Sequence, residues 1–312
     1  MQIFSNINNL QIAVKALEAI PKHSVATIGF FDGIHLGHKF LLKNLQETAQ
    51  QEKTEEVVIT MWQHPAIFFN RDLKLITTLE EKIRIFEKLN IKNLAILKFD
   101  ENLSQQTSKE FVEQFLLEKL YLKELLLGYN NSFGSDKNKN IKDFNQIKIT
   151  RLEKFLYNNS EKISSSEIRK LIEKGDVEKT FQYLGHPFEL SGTVKEGFQI
   201  GRKLGFPTAN IENIDSYKII PANGVYITLT KFENSEKYFP SILNIGKRPT
   251  FNGKQNTIEN HILNFDENIY NKNITIKFFK KIRNEQKFDN EDDLKKQVQK
   301  DIQEAKLYHN LL

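Results

Sequence analysis

The chain has 312 residues, with 45 Lys and Arg against 40 Asp and Glu, a net charge of +5 and no cysteine. This length suffices for two domains, and the lack of cysteine excludes disulfides, thiolate metal sites and cysteine nucleophiles. The positive charge is small and scattered, unlike the concentrated basic surface of typical nucleic-acid-binding proteins. No segment approaches the ~18 uninterrupted apolar residues of a membrane-spanning helix, and the first residues lack a signal-peptide pattern. We therefore expect a cytoplasmic protein that binds neither nucleic acid nor a membrane.

Short apolar runs alternate with helical patterns in the first part of the chain. The runs at 25–31 and 57–62 predict buried strands, and Leu41 and Leu45 mark one face of the helix between them. The alternation continues with a helix around 83–89, a strand at 94–99, a helix over 108–120 and a strand at 124–128. Repeated strand–helix–strand units indicate a mainly parallel sheet covered by helices on both faces.

The pattern changes near residue 185, after two short helices that end at Gly175 and Gly185. Strand-like runs such as GVYITLTKF follow, in which apolar and polar residues alternate, and the last helical pattern begins near Asn290. We therefore predict an α/β domain over residues 1–185. For residues 186–312 we predict an all-β domain, an antiparallel barrel or sandwich capped by the last helix.

The segment GFFDGIHLGH (29–38) joins the first predicted strand to the first helix. Ligands bind outside the carboxyl ends of parallel strands, and a helix N-terminus next to glycines favours an anion. His35 and His38 allow three interpretations: a metal site, a loop with two histidines of no function, or a cradle for phosphates. Zinc needs at least three ligands, and neither a cysteine nor a third nearby histidine is present. The residues alone leave the other two interpretations open.

The segment ISSSEIR (163–169) carries more polar donors than a helix start needs. Ser164 and Glu167 form a capping box, which explains these two residues structurally. Ser165, Ser166 and Arg169 are surplus to it, and they lie where a helix N-terminus favours an anion.

The segment GRKLGFPTANI (201–211) combines flexible glycines with a fixed proline, and Thr208 and Asn210 present a hydroxyl and an amide side by side. A plain loop between two strands is the alternative. Glu259 lies in the otherwise apolar run TIENHILNF. An inward carboxylate would need partners or a function and an outward one would be solvated, and periodicity leaves both open.

Together and in this order, these motifs resemble the prokaryotic bifunctional riboflavin kinase/FAD synthetase (FMN adenylyltransferase) family over nearly the whole chain. The resemblance is carried by GFFDGIHLGH, HP at 64–65, GYNNSFG at 128–134, SSSEIR, GFPTAN, NIGKRPTF at 244–251 and the run around Glu259. It implies a Rossmann-like parallel-sheet nucleotidyltransferase domain, followed by a six-stranded antiparallel β-barrel with a C-terminal helix. It implies an enzyme that phosphorylates riboflavin to FMN with ATP and then adenylylates FMN with a second ATP, giving FAD and pyrophosphate.

For adenylyl transfer, the resemblance implies that His35 and His38 bind the ATP phosphates and that Asn130 and Arg169 complete the catalytic set. Asn131 stands where the family usually has an aromatic residue. The attacking FMN phosphate is already anionic at pH 7, so the reaction needs alignment and hydrogen-bond donors rather than a general base. The resemblance implies further ATP contacts from Gly29, Phe30, Asp32, Gly33, Ser165 and Ser166.

For the kinase reaction, the resemblance implies that Thr208 and Asn210 hold Mg²⁺ and the ATP phosphates and that Glu259 is the general base. A carboxylate base is expected because the attacking group of riboflavin is an alcohol with a pKa far above 7. Mg²⁺ is expected to arrive with ATP, without a tightly bound protein-caged metal. The implied ATP-binding residues are Gly201, Lys203, Gly205, Pro207, Thr208 and Asn210, and the implied flavin-binding residues are Arg248 and Arg283.

Two other functions remain as alternatives. One is a nucleotidyltransferase for a different small phosphate with a degenerate barrel, and the other is a regulatory flavin- or RNA-binding protein. The expected partners are riboflavin, FMN and ATP, without nucleic acid or membrane, and the chain is expected to be a monomer or a weak homo-oligomer.

Overall fold

The computed structural model describes residues 1–5, 7, 13–62, 64–69, 72–136, 147–196, 205–250 and 253–310. The chain forms two compact units, one of residues 1–73 and 79–164 and the other of residues 74–78 and 165–312. The units divide between Ser164 and Ser165, whereas the sequence places the boundary near residue 185. The two short helices between these positions group with the barrel, because the second packs against strands of the barrel and the first packs against the second. No helix in the described part of the chain is long and apolar enough to cross a membrane.

The first unit contains a six-stranded parallel sheet in the order β1-β4-β3-β2-β5-β6. Its strands are β1 (Gln2–Ser5), β2 (Val25–Ile28), β3 (Glu56–Met61), β4 (Asn93–Leu97), β5 (Glu124–Leu127) and β6 (Lys148–Arg151). A two-stranded ladder, β7 (Leu156–Tyr157) with β8 (Glu161–Lys162), follows. The helices are α1 (Leu36–Gln51), α2 (Pro65–Phe69), α3 (Leu79–Lys88), α4 (Glu101–Gln105) and α5 (Ser108–Glu110), which continues as a π-helix over Phe111–Leu117; a 3₁₀ turn spans Leu17–Ala19.

The predicted parallel sheet is confirmed, and its central strands lie close to the predicted runs. All residues of β2, β4 and β5 are buried, because helices cover both faces of the sheet. The edge strands β1 and β6 were not predicted, since both are short and carry polar residues. The sheet runs from β2 through β3 to β4 on one side, while β5 lies on the other side of β2. The order therefore reverses between β2 and β5, which is where such sheets bind ligands.

The second unit is a closed antiparallel barrel in the order β10-β13-β12-β11-β14-β9, as the predicted fold class requires. Its elements are α6 (Ser165–Lys174), α7 (Val177–Leu184), β9 (Phe188–Lys195), β10 (Ala209–Glu212), β11 (Gly224–Phe232), β12 (Tyr238–Thr250), β13 (Gly253–Ile262), β14 (Asn273–Arg283) and α8 (Glu291–Tyr308). Strand β10 begins within the segment 201–211, for which a plain loop was the alternative prediction. It pairs with both β9 and β13. This short strand closes the barrel.

The ends of the helices follow the predicted residues. Gly175 and Gly185 adopt φ angles of 78° and 65° after α6 and α7, a conformation that glycine adopts without steric cost. Asn290 caps α8, because its side chain accepts a hydrogen bond from the backbone N–H of Asp293 at 2.9 Å. Ala305 of α8 is fully buried against the outside of the barrel beside Ile227, Ile242 and Leu263.

The inside of the barrel contains a neutral hydrogen-bond network. Asn260 of β13 donates to Thr230 of β11 at 2.8 Å, although β12 lies between these two strands. The two side chains therefore meet across the interior. Ser241 of β12 lies 2.8 Å from both Thr230 and Thr228 of β11, so hydroxyls of two strands and the amide of a third join in one buried cluster. Side chains of β13 at 258, 260 and 262 consequently face inward, and those at 259 and 261 face outward.

Candidate active sites

The first candidate site lies at the carboxyl ends of β2 and β5. Thr27 pairs with Leu126, so the turn after Ile28 and the loop after Leu127 begin side by side at the switch point of the sheet. The amide of Asn131 donates a hydrogen bond to the carbonyl of Ile28, which ties the two segments together. Asn131, which stands where the resembled family usually has an aromatic residue, thus has a structural role here.

The turn between β2 and α1 is held in a strained conformation. Phe31 and Ile34 have φ angles of 56° and 40°, which side chains rarely adopt, and Gly33 has a φ of 82°. Phe31 is 2% exposed and Ile34 is fully buried, so packing holds both residues in place. Strained backbone of this kind persists only where the surroundings enforce it, and it concentrates at functional sites.

His35 and His38 stack on each other at the start of α1. Their ring centroids are 3.7 Å apart with an interplanar angle of 12°. His35 caps the helix, and its Nδ1 accepts a hydrogen bond from the backbone N–H of His38 at 3.3 Å. A Cβ at Gly37 would lie 3.2 Å from the His35 ring, so the glycine gives that ring its room.

Both histidines are neutral at pH 7. Burial lowers the pKa of His35 to about 4, with the charge of Asp32 opposing the shift. Burial also lowers the pKa of His38 well below its usual value, and the charges of His35 and Lys82 add to this effect. Because Nδ1 of His35 accepts a hydrogen bond, its proton lies on Nε2, which makes Nε2 a donor.

Two basic residues near this turn were missed by the sequence reasoning. Lys82 of α3 donates to the carbonyl of Phe30 at 2.8 Å and lies 3.6 Å from the centroid of the Phe30 ring. Arg151, the last residue of β6, donates to the carbonyls of Gly128 and Asn131 at 2.9 Å each. Arg151 thereby fixes the loop that presents Asn130. The sequence shows Lys82 only as one lysine of a predicted helix, and it shows Arg151 only as an arginine in a segment for which no strand was predicted. Neither pattern indicates a role near the turn.

Asn130 itself is exposed at the tip of this loop. Its side chain makes no hydrogen bond to the described residues and faces solvent, next to the fixed backbone of Gly128 and Asn131. An amide in this position is available to a ligand bound at the switch point.

Exposed aromatic side chains also follow β3. Trp62, Phe68 and Phe69 are 40%, 43% and 70% exposed. Phe68 and Phe69 both pack edge-to-face with Phe99, at centroid distances of 5.6 and 6.1 Å. Large exposed aromatic surfaces of this kind mark ligand or partner sites, and the sequence reasoning did not select these residues.

Three further residues predicted for adenylyl transfer lie in the second unit, namely Ser165, Ser166 and Arg169. Helix α6 begins at Ser165, and Ile168 and Ile172 anchor it because both are fully buried. Ser166 is exposed and Arg169 is half-buried. The structure places these residues and the histidine pair in different compact units.

The second candidate site is a row of side chains across the outside of the barrel. Asn210 pairs with Glu259, Glu259 with Asn244, Asn244 with Val225 and Val225 with Arg283. Directly paired residues share a face of the sheet, and adjacent strands are about 4.8 Å apart. Three predicted site residues thus lie in one row, although they are far apart in the sequence. Asn244 is a member that sequence reasoning missed, although its motif was noted.

The structure settles the two orientations that periodicity left open for Glu259. Its side chain faces outward and is half-buried, whereas its neighbours Ile258 and Asn260 are 4% and 1% exposed on the inner face. Within the described residues Glu259 makes no hydrogen bond or ion pair. Its carboxylate is therefore available to accept a proton.

Arg283 forms a bidentate pair with Asp301 of α8. Its Nε lies 3.1 and 3.0 Å from the two carboxylate oxygens, and its Nη2 lies 2.8 Å from Oδ2. The Asp301 side chain is 2% exposed, so this pair fastens the terminal helix to the end of β14.

A pocket of about 220 Å³ opens beside Thr208. It is smaller than the roughly 300–1,000 Å³ of sites that enclose a whole drug-sized ligand, and it suits one part of a nucleotide. Its lining is mostly apolar and comprises Val194, Pro207, Thr208, Ala209, Asn260, Ile262 and residues 265–270. The predicted residues Gly201 and Lys203 lie outside the described residues, as does the side chain of Arg248; Gly205 has a φ of 87°.

The donors near this pocket fit a hard cation that arrives with a nucleotide. Thr208 and Asn210 offer a hydroxyl and an amide oxygen, and magnesium prefers oxygen ligands. Among the described residues no group of three or more His, Asp or Glu side chains is placed to hold a metal.

Comparison with known proteins identifies two successive family regions in the chain. A family model described as FAD synthetase matches residues 17–167, and one described as riboflavin kinase matches residues 184–309. A bifunctional riboflavin kinase/FMN adenylyltransferase of Buchnera aphidicola subsp. Schizaphis graminum is 37% identical and covers 100% of both chains. The protein of the same name from Bacillus subtilis is 35% identical and covers 93% of both chains.

A solved structure extends the similarity to the fold. A crystal structure described as a macrolide-efflux protein from Streptococcus pneumoniae matches with a TM-score of 0.85 at 28% identity. The match covers 95% of this chain and 98% of the other, so it includes both units.

Proposed function

The chain belongs to the family of bifunctional riboflavin kinase/FMN adenylyltransferases, and on this premise we propose which of its residues carry each reaction. The enzyme phosphorylates riboflavin to FMN with ATP and transfers AMP from a second ATP to FMN, giving FAD and pyrophosphate. Both reactions use ATP with a divalent metal. We assign adenylyl transfer to residues 1–185 and phosphorylation to residues 186–312.

Adenylyl transfer is assigned to the histidine pair at the switch point. A phosphate oxygen of FMN attacks the α-phosphorus of ATP, and the bond to pyrophosphate breaks. His35 and His38 donate hydrogen bonds to the ATP phosphates while charge spreads over the transferring group. The observation that carries this assignment is the stacked pair of neutral imidazoles at a helix N-terminus beside the reversal of strand order.

The other predicted residues have supporting parts in this reaction. Asn130 provides an amide to the α-phosphate, and Arg169 provides a cation to the leaving pyrophosphate. The exposed aromatic side chains of Phe68 and Phe69 provide a surface on which the flavin ring stacks. The remaining ATP contacts that we propose come from Gly29, Phe30, Asp32, Gly33, Ser165 and Ser166.

Phosphorylation is assigned to the row on the outside of the barrel. Glu259 accepts the proton of the riboflavin hydroxyl as that oxygen attacks the γ-phosphorus of ATP, and ADP leaves. Asn210 lies directly beside Glu259 by strand register, so nucleotide and base meet on one face. Arg248 and Arg283 are proposed to contact the flavin, and the bond from Asp301 fixes the position of Arg283.

The divalent metal is proposed to be Mg²⁺, held by Thr208 and Asn210 together with the ATP phosphates. When bound, it neutralises phosphate charge during transfer. The apolar pocket beside Thr208 is proposed to take the adenine base. The consumption of ATP supports a cytoplasmic location, and we propose a monomer or weak homo-oligomer without nucleic-acid or membrane partners.

One reaction mixture tests the function. The purified chain is incubated with riboflavin and Mg²⁺-ATP, and flavins are separated by chromatography over time. FMN is expected first and FAD after it, and FMN supplied directly should yield FAD without a lag. Formation of neither product, or of only one, would contradict the bifunctional assignment.

A further inference from the structure

Lys82 is buried in the first unit although its helix does not require this. Its side chain is 1% exposed, and a lysine is almost never fully buried unless it is paired. Removing an ammonium group from water is strongly unfavourable. Lys88 of the same helix α3 is exposed, so the helix propensity of lysine does not require a buried position. The burial of Lys82 therefore calls for a role in its surroundings.

The contacts of Lys82 converge on the residue that opens the strained turn. Its Nζ donates to the carbonyl of Phe30 at 2.8 Å, and Thr60 donates to the same carbonyl at 3.2 Å. The ammonium also lies 3.6 Å from the centroid of the Phe30 ring, on which a cation is attracted to the π-electrons. The ring of His64 packs edge-to-face on Phe30 at 4.2 Å. Phe30 is thus held through its backbone and its side chain.

Lys82 is also electrostatically coupled to the turn and to the histidines. Burial lowers the pKa of Lys82 to about 7, and the charge of Asp32, which is 2% exposed, opposes this shift. Lys82 in turn lowers the pKa of His38. The ionisable groups coupled to Lys82 thus include Asp32 of the turn and His38 of α1, and Thr60 of β3 is a neutral contact.

We propose that Lys82 is a positioning residue for adenylyl transfer, whose ammonium holds the turn through the carbonyl and the ring of Phe30. The protonated amine makes a charge-assisted hydrogen bond to the Phe30 carbonyl and a cation–π contact with the Phe30 ring, and both weaken when the amine loses its proton. This inference rests on the proposed role of the turn in binding ATP.

The proposal predicts a basic limb in the pH profile of FAD formation. The kcat/KM for ATP reports the free enzyme, so it should fall as the pH rises through the pKa of Lys82 near 7. Bound phosphates favour the ammonium form, so the corresponding limb in kcat should lie at a higher pH. FMN is supplied directly, and the formation of FMN from riboflavin by the same protein serves as the internal control.

Three variants test the residue. Lys82→Met should lower kcat/KM for ATP by about 10–100-fold at pH 6.5 and abolish the basic limb. Lys82→Arg keeps a charge that does not titrate, so it should retain more activity and also lose the limb. Lys88→Met is the matched control on the same helix and should leave the profile unchanged. FMN formation should change little in all three variants.

The outcomes separate this inference from the assigned function. A wild-type profile without a limb between about pH 6.5 and 8.5 would overturn it, and so would a limb that persists in Lys82→Arg. If Lys82→Met does not fold, the wild-type and Lys82→Arg profiles still decide. Failure of the wild type to make FAD from FMN would instead contradict the assignment of adenylyl transfer to this chain.

Discussion

In the proposed assignment, the two units bind ATP with different chemical groups. The first unit places neutral histidines beside a strained turn at the switch point of a parallel sheet, and the amide of Asn130 lies on the loop after β5. The second unit presents an amide and a carboxylate in adjacent positions on two antiparallel strands of a barrel. The site of the first unit is formed by loops that contacts between distant residues hold in place. The site of the second unit is formed by the register in which the strands pair.

The nucleophiles explain this difference. In the proposed assignment the attacking group at the first site is a phosphate, which is already an anion at pH 7 and needs no general base. The second site activates an alcohol, so a proton acceptor must touch the substrate. The presence of Glu259 in one site and the absence of a proposed base in the other follow from the chemistry of the attacking oxygen.

The largest effect is expected from Glu259→Gln, which keeps the volume of the side chain and removes the base. FMN formation should fall by roughly 10²–10⁴-fold, while binding of riboflavin and ATP changes much less, because neither ground state needs the proton removed. Steady-state turnover and equilibrium binding measure the two quantities. Glu236→Gln, an exposed carboxylate of the same barrel, is the control. A Glu259→Gln variant that keeps most of its turnover would remove Glu259 as the base.

The reciprocal experiment removes the histidines. His35→Ala and His38→Ala should each lower FAD formation by at least about 10²-fold, since each removes a donor to the charged phosphates. FMN formation should stay near the wild-type rate. Both rates are measured on one preparation of each variant, from riboflavin and from supplied FMN. Equal losses of both activities in a folded variant would contradict the assignment of the pair to adenylyl transfer.

Two fragments test where the barrel unit begins. We expect the fragments 186–312 and 165–312 both to phosphorylate riboflavin and to make no FAD. The shorter one lacks α6 and α7, whose residues Ile172, Val177 and Leu184 are fully buried. Losing this packing should lower its free energy of unfolding by about 3–6 kcal/mol. Urea unfolding of each fragment measures the difference in free energy. Residues 74–78 also belong to this unit, but both fragments lack them, so their loss does not affect the comparison. Equal stabilities would favour the boundary near residue 185.

The smallest effect is expected from acid. The pKa of His35 falls from 6.5 to about 4 on folding because of burial, so the folded state binds fewer protons. This contribution is fully present above pH 6.5 and is lost as the pH falls from 6.5 to about 4, by about 3 kcal/mol in total. The fluorescence of Trp62, the single tryptophan of the chain, reports unfolding of the first unit in urea. His35→Gln should weaken the dependence of the free energy of unfolding on pH. His23→Gln, at an exposed position, should leave that dependence unchanged.

The sequence by itself determined the elements and their classes. The periodicity of apolar residues and the residues that cap helices act within a few positions of the chain. Local sequence patterns therefore predicted the strands β2 to β5, the glycines after α6 and α7, and the Asn290 cap. The edge strands β1 and β6 and the short strand β10 did not, because they are short and partly polar. Their pairing partners, rather than their own residues, make them strands.

The tertiary structure alone decided which chemical groups meet. Strand register, which depends on segments far apart in sequence, places Asn210, Glu259 and Arg283 in one row and turns Glu259 outward. Lys82 lies 52 positions from Phe30, so no local pattern could relate the ammonium to that carbonyl. Local propensity selects helices and strands, but packing between distant segments selects the neighbours of each side chain, and with them its charge state and its chemistry.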